Sequence, residues 1–369
     1  MRFSCYKNDL TEALAFVVKG VAVKPQTPVL SGIYLRVADS MLELQANNNT
    51  TGIVAKIPVN VEEPGETVVS GKRLVEFARN MPDDTITFFT DGNALAMESG
   101  GAHVELLTLE PHDFPKVAPE PPTQSFKIKL ATLADLIRRT VFSVAKEDSR
   151  PAFTGVNFIM QGENVTAAAT NTHRLALAKD KLEENCGDIL QFIIRGDTLR
   201  DLLTRLGNKK PLETVTINYN AGKSVAFVFE NVLMTSRLIE GLFPPYDRVI
   251  PKESALHVKV NTAELKEAVR FVSGMSKETE YNTINFDIAR DGIDISANSP
   301  EVGGAAKPVE ADVDGNDLTI SFNVDYITDV LRAVVADKLE FAFNGRYEPA
   351  KVTEIGNDNY IYIVTPVRT

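Results

Sequence analysis

The chain repeats one pattern three times, and a unit used three times restricts the fold more than any single motif can. Phe3-Ser-Cys-Tyr-Lys-Asn-Asp-Leu10, Phe126-Lys-Ile-Lys-Leu-Ala-Thr-Leu133 and Val258-Lys-Val-Asn-Thr-Ala-Glu-Leu265 each join an alternating strand to the start of a helix. In each, an apolar residue stands seven positions after the first, and Leu14, Ile137 and Val269 follow four residues later. The step from Phe3 to Phe126 is 123 residues and from Phe126 to Val258 is 132. Solenoid units run to only about 20–45 residues, so a period this long describes tandem domains.

The rest of each unit recurs as well. Gly32-Ile-Tyr-Leu-Arg-Val37, Gly155-Val-Asn-Phe-Ile-Met160 and Thr283-Ile-Asn-Phe-Asp-Ile288 read as strands. Each leads through a polar turn to a second strand, at 41–48, 164–171 and 292–299. A second helix is predicted to open near Ser70, Arg195 and Asn323, with apolar residues at helical spacing such as Leu199, Leu202, Leu203 and Leu206. A hairpin closes each unit, as at 214–230. Proline-rich stretches at 111–122 and 243–251 interrupt helix and strand alike, and mark linkers. The expected domains are 1–120, 125–250 and 252–369, each α+β with two helices and mainly antiparallel sheets.

At 369 residues the chain exceeds one ordinary core. It has no apolar run of the length a membrane helix needs, and its start, MRFSCYKNDL, lacks the apolar region of a signal peptide. Cys5 and Cys186 fit no metal or redox spacing, so a reduced cytoplasm is the expected location, with no membrane partner.

The net charge of −11 argues against nucleic acid only if charge is evenly spread. It is not. The first helices carry Lys19, Arg138, Arg139, Lys146, Lys266, Arg270 and Lys277 at or near their ends. The second carry Lys72, Arg73, Arg79, Arg195, Arg200, Arg205, Arg332 and Lys338, with Lys209 and Lys210 following the middle one. Acids gather in loops and strands, as at Glu62-Glu63, Asp83-Asp84 and Glu183-Glu184. Any one such helix reads as a solvated face; the recurrence in every repeat favours phosphate contact without base readout.

At Lys24-Pro-Gln-Thr-Pro-Val-Leu30, Ala169-Thr-Asn-Thr-His-Arg-Leu-Ala176, Gly241-Leu-Phe-Pro-Pro-Tyr-Asp-Arg-Val-Ile-Pro251, Phe322-Asn-Val-Asp-Tyr326 and Pro366-Val-Arg368 the chain resembles the bacterial DNA polymerase III beta subunits, the sliding clamps, over its full length. The resemblance implies a head-to-tail homodimeric ring of six similar domains, helices lining the hole. Twelve helices about 10 Å wide enclose a bore of about 28 Å, and B-DNA is about 20 Å across. One chain would leave about 9 Å and three about 47 Å, so two copies suit a duplex.

The resemblance further implies a processivity factor for DNA replication that holds double-stranded DNA without sequence preference. It would tether the replicative polymerase, the clamp loader and repair proteins through short peptide motifs. For the partner-peptide pocket it points to Phe153, Thr170, His173, Arg174, Leu175, Pro244, Arg248, Val249, Asn323, Tyr326, Ile363, Val364, Pro366, Val367 and Arg368. For DNA contact it points to Lys24, Lys72, Arg73, Lys146 and Arg150, and for the dimer interface to Val104, Leu106 and Met275. Members often carry Asp-Gly before His-Arg, where this chain has Asn171-Thr172, and a Met-rich end where it has Thr365-Pro-Val367.

Other readings are weaker. His173-Arg174 could pair a general base with an anion holder, but none of the four histidines lies near a nucleophile pattern, so no enzyme is expected. Asn220-Ala-Gly-Lys-Ser224 imitates the end of a P-loop, yet the first glycine it requires is Ile217, and it reads as a hairpin turn. Asp312-Val-Asp-Gly-Asn-Asp317 suggests a calcium loop whose twelfth position is Asn323 rather than Glu, and it reads as a surface turn. No cofactor or metal is expected. The remaining alternative is a repeat scaffold for protein partners that encircles no DNA.

Overall fold

The computed structural model describes residues 1–118, 120–147, 149–206, 213–277 and 282–368. In the first repeat the order is β1 (Arg2–Tyr6), α1 (Lys7–Val17), β2 (Gly32–Ala38), β3 (Met41–Asn47), β4 (Thr51–Pro58), β5 (Asn60–Glu63) and β6 (Gly65–Ser70). There follow α2 (Gly71–Asn80), β7 (Thr85–Asp91), β8 (Ala94–Ser99) and β9 (Ala102–Leu109). The second repeat runs β10 (Gln124–Lys129), α3 (Leu130–Thr140), β11 (Gly155–Gln161), β12 (Asn164–Thr170) and β13 (Arg174–Lys181). It ends with β14 (Leu190–Arg195), α4 (Gly196–Leu206), β15 (Thr214–Asn220), β16 (Ser224–Phe229) and β17 (Val232–Ile239). The third runs β18 (Leu256–Asn261), α5 (Thr262–Ser276), β19 (Thr283–Ala289), β20 (Gly292–Ser299), β21 (Gly303–Val309) and β22 (Ala311–Asp314). It closes with β23 (Leu318–Asn323), α6 (Val324–Ala333), β24 (Lys338–Phe343), β25 (Ala350–Glu354) and β26 (Asn357–Val364).

Local chemistry accounts for these elements. Strand β1 alternates, turning Phe3 and Cys5 inward, and Phe3 stacks on Phe88 with ring centroids 4.7 Å apart. Helix α1 buries Leu10 and Leu14, the positions that periodicity singled out; deleting such a side chain costs about 2–5 kcal/mol. Asn261 caps α5 by accepting from the Ala263 and Glu264 N–H groups at 2.9 and 3.2 Å. Asn323 caps α6 through the Asp325 N–H at 2.9 Å, which fixes the expected second-helix start. The 214–230 segment is the hairpin β15–β16, its turn at Asn220–Lys223. Asp312 and Asp314 differ from expectation: they lie on β22, paired to Lys259 and His257 of β18, so this stretch is strand before it is turn. Among the described residues no group of acidic, histidine or cysteine side chains is placed to hold a metal ion.

The chain divides into two compact units that share the second repeat. One comprises 1–131, 182–186 and 197–238; the other comprises 132–181, 187–196 and 239–369. In the first unit an antiparallel sheet runs β10-β15-β16-β17-β4-β3-β2-β6, and β5-β1-β7-β8-β9 forms the neighbouring set. The strand joining its two repeats is β17, paired with β4 from Val232↔Ala55 to Ser236↔Thr51. In the second unit the sheet runs β14-β11-β12-β13-β26-β25-β24-β18-β22, and the joining pair is β13 with β26, from Arg174↔Val364 to Ala178↔Tyr360. A separate four-stranded sheet is ordered β21-β20-β19-β23. The last strand of one repeat thus meets the fourth strand of the preceding one twice within the chain.

Candidate functional site

The second unit contains a cleft of about 200 Å³ where β13 meets β26. Its floor is built by that pairing, with Leu175 opposite Ile363. The β12–β13 turn makes one rim. Asn171 Oδ1 accepts from the His173 and Arg174 N–H groups at 3.2 and 3.1 Å, and Thr170 Oγ1 donates to the Arg174 carbonyl at 2.7 Å. The turn holds Thr172 at φ 76, a left-handed conformation that costs a β-branched residue of order 1–3 kcal/mol. The opposite wall comes from the second proline-rich stretch. Phe243 is buried against Ala152, Ala168, Leu177 and Ile193, so Pro244, Pro245 and Tyr246 stand beside the cleft.

The tail of the chain closes the site. The Thr365 N–H donates to the His173 carbonyl at 2.9 Å, and the Val367 N–H donates to the Ser321 carbonyl at 2.8 Å. His173 stacks on Tyr326, centroids 6.3 Å apart. Behind this rim Arg174 is buried: its Nη1 donates to Asp329 at 2.7 Å, its Nη2 to the Phe142 carbonyl, and its guanidinium lies 4.5 Å from the Tyr326 ring centre. Arg174 therefore braces α6 against β13 and is not a free charge inside the cleft.

Of the residues expected at this pocket, Phe153, Thr170, His173, Arg174, Leu175, Pro244, Val249 and Ile363 line the cleft. Tyr326 joins through His173, Val364 faces Arg174 on the paired strand, and Asn323 caps α6. Arg248, Pro366, Val367 and Arg368 stand outside the lining, Arg248 and Arg368 exposed. Thr172, Pro245, Tyr246, Pro349 and Thr365 also line it. Four of these sit inside or beside the motifs already singled out; Pro349 carries no sequence signal. Sites that engulf small molecules measure about 300–1,000 Å³. A smaller, apolar cleft with Thr and His at its rim suits one or two anchoring side chains of a peptide.

The comparison with known proteins decides the family. Models of the DNA polymerase III beta subunit match in order: the N-terminal domain over residues 1–118, the central domain over 127–245 and the C-terminal domain over 247–368. The chain belongs to the DNA polymerase III beta subunit family. It is 29% identical over 380 residues to the beta sliding clamp of Bacillus subtilis, and 28% identical over 383 to that of Halalkalibacterium halodurans, each spanning 100% of both chains. The crystal structure of the Bacillus subtilis DNA polymerase sliding clamp superposes with a TM-score of 0.92 at 28% identity, covering 100% of this chain and 99% of that one. A Pseudomonas aeruginosa sliding clamp bound to griselimycin gives 0.91 at 28%, covering 100% of both. The three tandem clamp domains, the two helices in each and the antiparallel sheets are those of this family.

The basic positions expected in such a clamp are placed as follows. In the first unit Lys24 is exposed in the loop before the one-turn helix Pro28–Ser31, at φ 77, and Lys72 and Arg73 are exposed at the start of α2. Arg73 pairs with Glu76 at 2.9 Å. In the second unit Lys146 and Arg150 are exposed, and the Arg150 guanidinium lies 4.1 Å from the Phe153 ring centre. Three helix cations are not free surface charges, Arg139 and Arg205 because they are largely covered and Arg138, half-buried, because it is paired. Arg139 is 6% exposed and tied to Glu354 at 2.7 Å and Asp135 at 2.5 Å. Arg205 is held by Glu12 and Glu230, and Arg138 by Asp135 and the Ala333 carbonyl. Lys338 begins β24 and not the second helix. Lys209 and Lys210 lie outside the described residues. At the interface positions, Val104 and Met275 are half-buried, whereas Leu106 is buried in its own unit and Leu107 beside it is 80% exposed.

Proposed function

We propose that two copies of this chain close head to tail into a ring around duplex DNA, slide on it, and tether the replicative polymerase. The cleft between β13 and the Phe243–Ile250 stretch takes the short peptide motifs of polymerase, clamp loader and repair proteins. Lys24, Lys72, Arg73, Lys146 and Arg150 meet the phosphate backbone in this reading. The three domains span about 1–120, 125–250 and 252–369, the protein works in the cytoplasm, and it acts by linkage without turnover.

The observation that carries the reading is the repeated joint. Edge β17 of the second repeat takes β4 of the first, and edge β26 of the third takes β13 of the second. By the same equivalence β9 of the first repeat is the partner for β21 of the third. Among the described residues β21 pairs only with β20, and β9 pairs only with β8 and, at its last residues, β6. An unpaired strand edge is a template for another chain. Two head-to-tail joints of one kind close a dimer and leave no edge.

The supporting features are an acidic chain with exposed cations on its helices and no helix, among the described residues, long and apolar enough to cross a membrane. The test is topological. Protein loaded onto closed circular duplex should be retained through gel filtration and released when the circle is cut once. Retention indifferent to the cut would leave only a protein-binding scaffold.

A further inference from the structure

The two joints inside the chain are alike in plan and differ in what fills them. In each, a phenylalanine beyond the last strand of a repeat is buried and anchors the linker: Phe114 against Val29, Leu30, Tyr34 and Val68, and Phe243 against its own cluster. Past Phe243 the linker stands beside an open cleft. Past Phe114 it enters the joint. The floor there is the pairing of Gly52 with Thr235, the counterpart of Leu175 with Ile363. A side-chain carbon at position 52 would lie 2.9 Å from both γ-methyls of Val117, so Val117 stands where the second joint has the Leu175 side chain.

Polar contacts hold the segment as well. The Val117 N–H donates to Oε1 of the buried Gln45 at 2.8 Å, and Asn47 Nδ2 donates to the Pro115 carbonyl at 3.0 Å. Lys116 Nζ donates to Glu66 at 3.3 Å and lies 4.9 Å from the Tyr34 ring centre. The step of 123 residues between the two repeats sets Gly52 against Leu175, Gln45 against Ala168, Asn47 against Thr170 and Tyr34 against Asn157. The second repeat therefore has neither the two side-chain amides nor the hollow over a glycine, and its linker has Pro245 and Tyr246 where the first has Lys116 and Val117. One apolar anchor in a fitted hollow, with backbone groups met by a few placed polar side chains, is how a domain holds a peptide.

We propose that the first joint is a second peptide-binding site, closed in this chain by its own Pro115-Lys116-Val117 acting as a strap. Once the strap lifts, the joint takes a partner segment of the same kind, a basic residue followed by a β-branched one. The basic residue is selected by Glu66 and the Tyr34 ring. The β-branched anchor is selected by the floor, because both methyls of Val117 bear on Gly52. The site concerns the first joint alone and does not depend on what the second cleft takes.

The full-length chain is digested briefly with trypsin, which cuts after Lys116 when the strap is lifted, and the fragments are weighed by mass spectrometry. Gly52→Leu gives the first joint the side chain of the second and should speed this cut by about tenfold, the factor that displacing a partly buried valine gives in an opening equilibrium. Val117→Gly should do the same with the floor untouched. Ala118→Gly, at an exposed residue, should stay within about twofold of the parent. Faster cutting at every site marks a variant that has lost its fold, and Val117→Gly then decides; an unaltered cut after Lys116 in that variant overturns the strap. The site itself is probed with a fluorescein-labelled Pro-Lys-Val-Ala peptide, followed by anisotropy. The double variant Lys116→Ala, Val117→Gly should bind it about tenfold more tightly than the parent, because the joint is no longer occupied. Adding Gly52→Leu should abolish that binding. Equal binding by parent and double variant, or binding that survives Gly52→Leu, overturns the site.

Discussion

A pair of cysteines across the proposed subunit joint tests both the ring and its register. The two joints inside the chain supply the alignment. The turns before β17 and β9 match residue for residue, so Val232 corresponds to Ala102 and Met234 to Val104. The pairings of β3 with β4 and β20 with β21 set Ile57 equal to Val309 and Ile53 equal to Ala305. Since Met234 faces Ile53, Val104 of one copy should face Ala305 of the other. Directly opposed residues in an antiparallel pair have Cα atoms about 4.5–5.5 Å apart, inside the about 4.4–6.8 Å that a disulfide spans. A diagonal neighbour two residues along stands about 7–8 Å away, and a slip of one residue turns the side chain to the other face. The double variant Val104→Cys, Ala305→Cys should therefore give a covalent dimer under mild oxidation, read on a non-reducing gel. Val104→Cys with Lys307→Cys should not. Native Cys5 is buried, its thiol pushed up to about 12 by burial and then by Asp9, and stays inert; Cys186 is replaced by Ser beforehand. Efficient linkage of the 104–307 pair with none at 104–305 would refute the register, and no linkage in any pair would refute the joint.

Two further outcomes follow from the second unit. Burial alone would raise the Glu354 carboxyl, but bonds from Arg139, the Val335 N–H and Asn357, with the Arg139 charge, outweigh it and hold it below its ordinary value. A depressed carboxyl contributes stability that is present above its unfolded pKa and disappears as pH falls through the folded one. Glu354→Ala leaves Arg139 with Asp135 alone and its Nη1 unsatisfied, and should cost about 1–3 kcal/mol at neutral pH in urea unfolding, with a smaller loss on acidification than the parent shows; a cost under about 1 kcal/mol would show that the pair does not brace α3. At the pocket rim, Thr172→Gly relieves a left-handed backbone and should raise stability by about 1 kcal/mol. An unchanged or lower urea midpoint would place the strain elsewhere.

The periodic features of this protein are written locally, and they were legible. Helix starts near Ser70, Arg195 and Asn323 follow from apolar spacing, and at Asn323 from a capping side chain, signals that act within a few residues. The strand ends at Asn47 and Thr170 and the hairpin at 214–230 follow in the same way from alternation and turn residues. The pocket was half legible. His173, Pro244 and Ile363 lie in distinctive motifs, but Pro349 enters only because β25 and β26 bring its loop to the cleft.

Charge was the least legible property. A sequence shows that Arg139 and Arg205 are cations on basic helices, but not that Glu354, 215 positions from the first, and Glu12, 193 from the second, lie against them. Whether a cation is neutralised is a matter of a few ångströms in space, and chain separation carries no information about it. The sequence by itself determined three similar α+β units, their helices and the family they belong to. Only the tertiary structure decided which cations remain free, which strand edges remain unpaired and which loops meet around the cleft, because each depends on contacts between segments that chain order leaves far apart.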